Sequence, residues 1–161
     1  MIYFTSIDSP IGPLLLTSDG EALTGLHMRD SSHPPRRDAN WIESPRHAPF
    51  GEARRQLGEY FAGARREFQL PLAAQGTPFQ KKVWQALRQI RYGETQSYGE
   101  VAARIRNPAA SRAVGLANGR NPIAVVVPCH RVIGANGSLT GFGGGLARKR
   151  WLLEHEGSWP R

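Results

Sequence analysis

IAVVVPCHRV, residues 123–132, is the stretch on which the reading of this chain turns. Val125, Val126 and Val127 form a β-branched apolar run that stops at Pro128. Such a run, closed by proline, reads as a short buried strand. The single cysteine, Cys129, follows at once, then His130 and Arg131. A lone cysteine behind an apolar run is by default a small buried hydrophobe. Here it stands where a core element opens, beside a cation and an imidazole, and just after the turn signal Asn121-Pro122. Positive surroundings favour the thiolate, the reactive form. Side chains of neighbouring residues diverge on a strand and on a helix alike. Cys129 and His130 are therefore poorly placed for a direct dyad, and a water between them is the simpler route for a proton.

The rest of the chain bounds what this thiol can serve. The 161 residues, 40% apolar, suffice for one compact unit or two small lobes. No apolar stretch is long enough to span a bilayer, and the N-terminus lacks a signal-peptide core, so a soluble, cytoplasmic protein is expected. One cysteine excludes an internal disulfide framework and a multi-cysteine metal site. The net charge of +8 is unevenly spread: residues 1–77 hold 8 Lys/Arg against 9 Asp/Glu, and residues 78–161 hold 13 against 4. The basic half carries Cys129. That asymmetry points to a polyanion partner, most simply nucleic acid, over a merely soluble basic surface.

Hydrophobic patterning gives two regions. Ile2–Ser6, Leu14–Thr17 and Ala22–Met28, separated by the turn clusters 8–13 and 18–20, predict an antiparallel meander. Residues 29–49, with four prolines, read as a long loop. Phe50, Ala53, Leu57, Tyr60 and Phe61 predict a helix over 50–62 stopped by Gly63. Residues 67–70 suggest one more strand, and 72–76 a linker. No chemistry is evident in this half, and His27, His33 and His47 read as ordinary surface or core histidines. Thr77-Pro78 opens a helix over 78–91. Ser97-x-x-Glu100 is a capping box for a short helix ending before Asn107-Pro108. Ala109–Asn118 forms the next, buried along Ala110, Ala113, Val114 and Ala117, with Ser111, Arg112, Gly115 and Gly119 opposite. Two short helices in a basic segment suggest a helix-turn-helix rather than a plain helical hairpin. Its outer face has small residues and one arginine instead of a row of base-reading side chains. It suits a widened minor groove and the deformation of DNA. A glycine-rich loop over 134–145 offers close backbone approach to a flat ligand, with Leu139 and Phe142 as apolar contacts. A last helix, 146–156, places Leu146, Leu152 and Leu153 in the core, and Gly157 caps it.

Pro128-Cys129-His130-Arg131-Val132-Ile133-Gly134 resembles the signature of the O6-alkylguanine-DNA alkyltransferases, also called methylated-DNA–protein-cysteine methyltransferases. Ser97-Tyr98-Gly99-Glu100, Arg112-Ala113-Val114-Gly115, Asn121-Pro122, Gly143-Gly144-Gly145 and His155-Glu156-Gly157 stand in the family's order. IDSPIGPL fits its N-terminal lobe. The resemblance implies an α+β fold. Residues 1–76 would form a ribonuclease-H-like lobe with a small antiparallel sheet and a helix. Residues 77–161 would form a mostly helical helix-turn-helix domain carrying the reactive cysteine. It implies a DNA-repair methyltransferase that flips O6-alkylguanine, or O4-alkylthymine, out of duplex DNA and takes the alkyl group irreversibly, one turnover per molecule.

In that scheme Cys129 is the acceptor, His130 takes its proton through water, and Glu156 orients His130. Asn121 braces the turn, and Tyr98 helps rotate the nucleotide and contacts its ring. Arg112 replaces the everted base, with Ser111, Ala113 and Gly115 against the duplex. Val132 and the Cys129 backbone hold the exocyclic amine, and Leu139, Phe142, Gly143 and Gly144 wall the alkyl pocket. Gly143, Phe142 and Asn118 stand where some members have serine, tyrosine and methionine. No cofactor, no metal and a monomer, with room for cooperativity on DNA, are expected. Two other readings compete. One is a helix-turn-helix binder of damaged DNA without chemistry, which the cysteine argues against. The other is a cysteine hydrolase, which would need His155 against Cys129.

Overall fold

The computed structural model describes residues 1–159. Three antiparallel strands, β1 (Tyr3–Ile7), β2 (Leu14–Ser18) and β3 (Leu23–Met28), form the expected meander. Local chemistry sets its turns. Ser9 Oγ donates to the Gly12 carbonyl at 2.6 Å, with Gly12 at φ 98°, and Asp19 Oδ1 accepts the amides of Glu21 and Ala22. The region 29–49 is not wholly loop: β4 (Ile42–Glu43) joins β1 in parallel, giving the order β3-β2-β1-β4. Helix α1 (Phe50–Phe61) buries Phe50, Ala53, Leu57 and Tyr60 along one stripe and closes at Gly63, whose amide bonds the Tyr60 carbonyl.

The expected strand at 67–70 is absent. The Gln56 side chain takes both backbone groups of Gln69, at 2.8 and 3.0 Å, in place of a ladder partner, and only Leu72 bridges to Leu23. Helix α2 (Pro78–Leu87) starts at the Thr77 capping box but stops short of residue 91. Its exit tightens into shorter bonds, Gln89 to Ala86 and Ile90 to Leu87, and the Arg131 guanidinium takes the Ile90 carbonyl at 2.6 Å.

Strand β5 (Gln96–Ser97) leads into α3 (Tyr98–Arg104), which carries the predicted Ser97/Glu100 capping box. Helix α4 (Ser111–Gly119) seats on Val114, Ala117 and Asn118 and is tied to α2 by the Trp84 indole on the Ala117 carbonyl at 2.8 Å. That seating corrects the expected stripe: Ala113 lies one step off it and is exposed, and Leu116 is 74% exposed.

The Val125–Val127 strand is also corrected. The backbone winds, with Val125 at φ 70°, Val126 N on Ala124 O at 2.8 Å and Val127 N on Ile123 O at 2.9 Å. Backbone groups satisfied this locally need no sheet partner, and only Ile123 bridges to β3 at Leu26. Cys129–Arg131 is one 3-10 turn, and β6 (Val132–Ile133) pairs in parallel with β5. Helix α5 (Leu146–His155) buries Leu152 and Leu153, but Leu146 is 49% exposed because Lys149 takes the inward position instead. One apolar core runs from Ile11 and Leu14 through Phe50 and Val83 to Leu152.

Candidate active site

Asn121 shapes the approach to the thiol. Its Nδ2 donates to the Val127 carbonyl at 2.8 Å and its Oδ1 accepts the Ile123 amide at 3.0 Å. The side chain thus cross-braces the wound segment from within, and Pro128 hands over to the 3-10 turn that presents Cys129. Burial pushes the Cys129 thiol up, while Asn121 and the charge of Lys149 work toward the thiolate.

Behind the sulfur lies a buried ionic cluster. Glu156 collects four donors: Tyr60 Oη at 2.6 Å, His130 Nε2 at 2.8 Å, Arg131 Nε at 2.8 Å and Arg131 Nη2 at 3.0 Å. Burial works to raise its carboxyl, yet the His130 and Arg131 contacts outweigh that and hold it well below the usual carboxylate range. An ionised Glu156 can only accept, so His130 Nε2 carries the proton and Nδ1 is the acceptor. Burial pushes His130 down despite the carboxylate, which keeps the imidazole neutral. Nδ1 is buried and has no hydrogen-bond partner among the described residues. This arrangement leaves a neutral base facing away from its orienting carboxylate.

The other predicted residues converge in part. The β5–β6 pairing sets Ser97 opposite Ile133, so Tyr98 starts α3 beside the cysteine segment. Its hydroxyl donates to the Thr140 carbonyl at 3.2 Å and accepts the Thr140 hydroxyl at 3.1 Å, and its ring lies over Gly115 of α4. A cavity of about 30 Å³ opens on Cys129, lined among others by Asn118, Asn121, Phe142, Gly143 and Gly144. Gly144 is tightly enclosed: a Cβ there would sit 2.4 Å from Met28 Sδ and 2.8 Å from the Phe142 ring, so both side chains would have to shift. Leu139 is corrected. It faces a separate hollow with Leu146 and Trp151 and takes no part in the wall around the thiol. Arg112 and Ala113 are exposed on α4, with Ser111 half-buried at its start. Val132 is buried, and its carbonyl accepts Lys149 Nζ. His155 is turned the other way, Nε2 on the Tyr60 carbonyl at 2.7 Å and its ring stacked on Trp151, so it forms no dyad with Cys129.

Five contributors escaped the sequence reading. His27, Ser31 and His33 line the cavity from the N-terminal half, and the Ser32 amide and hydroxyl both hold the Gly143 carbonyl. Tyr60 looked like one more core aromatic. Among the described residues, no cluster of three or more His, Cys, Asp or Glu could hold a metal ion.

Burial pushes His27 down from 6.5 to about 4. The folded state therefore binds fewer protons than the unfolded state between those values, and stability is full above pH 6.5 and drains toward pH 4. Glu156, also depressed on folding, adds its own loss below the unfolded carboxyl's 4.5. A His27→Asn protein should show a flatter fall in denaturation midpoint between pH 6.5 and 4 than wild type, with the loss below that range retained. An unchanged slope would remove His27 as its source.

Two family models match. One described as the 6-O-methylguanine DNA methyltransferase ribonuclease-like domain covers residues 2–74, and one described as its DNA binding domain covers residues 78–158. The methylated-DNA–protein-cysteine methyltransferase of Mycobacterium tuberculosis is 56% identical over 158 residues, 98% of this chain and 94% of that one. The one from Methanosarcina acetivorans is 53% identical over 157 residues, covering 98% and 99%. The solved M. tuberculosis O6-methylguanine methyltransferase superposes with a TM-score of 0.90 at 54% identity, covering all of this chain and 96% of that one. A second M. tuberculosis structure, in complex with DNA, gives 0.89 at 53% identity over 97% and 93%. With both halves matched, and the reactive segment and its carboxylate lying in the matched part, the chain belongs to the 6-O-methylguanine DNA methyltransferase family.

Proposed function

We propose that this protein repairs DNA by moving an alkyl group from O6-alkylguanine onto Cys129. The observation that carries this reading is the single thiol opening on a cavity, followed in the same turn by His130, whose Nε2 is held by Glu156 while its Nδ1 is buried without a partner among the described residues. The thiol proton passes through a water to His130 Nδ1. The sulfur attacks the alkyl carbon, the S–C bond forms as the C–O bond breaks, and the departing guanine takes a proton on a ring nitrogen from the Tyr98 hydroxyl, which regains one through solvent as His130 gives up the proton it took from the thiol. The product thioether has no partner in this site to cleave it, so each molecule turns over once.

The alkyl carbon is inaccessible in a paired duplex, so the base must leave the stack. The small-residue face of α4 is suited to approach the minor groove, with Ser111, Ala113 and Gly115 against the backbone and Arg112 entering where the base has left. Phe142, Gly143 and Gly144 then wall the alkyl group, and Val132 with the Cys129 backbone meets the exocyclic amine. The cavity on Cys129 holds a water-sized occupant, so entry of a base requires the 141–145 loop to part from Ser32. In this reading residues 1–76 act as the supporting lobe and residues 77–161 as the DNA-binding, alkyl-accepting one. No helix among the described residues is long and apolar enough to cross a membrane, and a reactive, unpaired thiol suits the reducing cytoplasm.

Incubation with a duplex carrying one O6-methylguanine should yield protein heavier by one methylene, in equimolar amount and with no second turnover. Catalytic release of methyl over many cycles would overturn the reading. Arg112→Ala should slow duplex repair about ten- to hundredfold, the scale of a lost arginine contact to DNA, while leaving reaction with free O6-benzylguanine nearly unchanged. Equal losses on both substrates would remove the role of Arg112 in the duplex.

A further inference from the structure

Lys149 is a basic residue buried without an acidic partner. It lies on α5 at 0% exposure, and its Nζ donates to the Val132 carbonyl at 2.5 Å and the Thr140 carbonyl at 2.6 Å. No ion pair among the described residues includes it. An ammonium taken out of water and given only neutral acceptors is costly, and such a group needs a countercharge or sheds its proton. Val132 directly follows the 3-10 turn of Cys129, and Thr140 carries the Tyr98 hydroxyl. Lys149 therefore hangs on the sulfur's own segment at one end and on the loop that walls the cavity at the other.

We propose that the Lys149 ammonium is the countercharge of the Cys129 thiolate, a positioning residue for the alkyl transfer. This rests on the reading of Cys129 as acceptor. When the thiol proton leaves for His130 Nδ1, the sulfur's negative charge forms against Lys149. When the S–C bond forms, that charge departs with the guanine, which takes up a proton on a ring nitrogen, and the thioether is neutral. Lys149 is then left with its two carbonyls alone. The electrostatics agree in both directions. Burial pushes Lys149 down to about 8 and the Cys129 charge opposes that, while Lys149 in turn opposes the effect of burial on the thiol. Other charged or titratable groups face the pair. His27 and His33 stand across the cavity, His130, Arg131 and Glu156 behind the sulfur, and Tyr98 at Thr140. Glu156 is already committed to its four donors, which leaves the thiolate as the anion available to Lys149.

The test follows alkylation of Cys129 by iodoacetamide across pH, without DNA, so that it stands apart from the proposed repair activity. Lys149→Met should raise the midpoint of thiol ionisation by about one unit or more, the effect of losing a nearby opposite charge. That makes reaction near pH 7.5 about tenfold slower, with rates converging at high pH. Lys149→Arg, which keeps the charge, should lie nearer to wild type. A midpoint unmoved in Lys149→Met would overturn the pairing, because a purely structural lysine would not set it. Should the variants fold poorly, the wild-type chain gives the answer through the Lys149 Cε resonance in ¹³C-lysine-labelled protein. Its titration should contain a step from Cys129 that vanishes in Cys129→Ser. Identical curves in the two proteins would refute the proposal.

Discussion

A Cys129→Ser protein is expected to bind an O6-methylguanine duplex with nearly wild-type affinity and never to gain its methyl group. The surfaces proposed to hold DNA, α4 with Arg112 and the start of α3 at Tyr98, are separate from the sulfur and packed by Val114, Ala117 and Trp84, which the substitution does not touch. The chemistry has no substitute. A serine hydroxyl is far less acidic than a thiol, and His130, the remaining candidate nucleophile, has one nitrogen on Glu156 and the other buried. Fluorescence anisotropy would report the binding, and intact mass after prolonged incubation the chemistry. A mutant that becomes heavier by one methylene would move the acceptor elsewhere.

Glu156→Gln should have the largest effect on stability. The carboxylate is the common acceptor for Tyr60, His130 and Arg131, all buried. An amide offers one oxygen in place of two and turns its own N–H groups toward those donors. Arg131 then remains charged, buried and without its anion. Breaking a buried ion pair by removing one partner costs about 3–5 kcal/mol, which should appear as a lower midpoint in urea with the slope preserved. Alkyl transfer should slow as well, because nothing then fixes the His130 tautomer that leaves Nδ1 free to accept. A variant with unchanged midpoint and rate would show that the cluster contributes neither stability nor orientation.

Much of this architecture was legible because it is written in local chemistry. The alternation of β1–β3, the Asp19 and Gly12 turns, the stripe of α1 and the capping boxes at Thr77 and Ser97 each act within a few residues. The site pattern around Cys129 was legible as a motif. The misreadings come from polar groups that find partners other than the ones simple periodicity assigns them. Three valines read as a strand because an apolar run does not report its backbone path, and Asn121 bonds Val127 from the side. Leu146 read as core, whereas Lys149 is the buried residue, its ammonium held by the carbonyls of Val132 and Thr140. His27 reaches the cavity from β3, and Ser31 and His33 join it because residues 29–33 fold back toward the cysteine, contacts no spacing encodes.

The meander ends in an outer strand, β3, whose free side is met by Leu72 near one end and by Ile123 near the other. Leu26 donates its amide to the Pro122 carbonyl, and Ala124 returns a bond to Leu26. The segment that carries the nucleophile therefore also acts as a cover against intermolecular strand addition. Residues 1–76 expressed alone would expose that edge at Leu26 and self-associate by templating one sheet on the next, and supplying the second half in trans would suppress the aggregation.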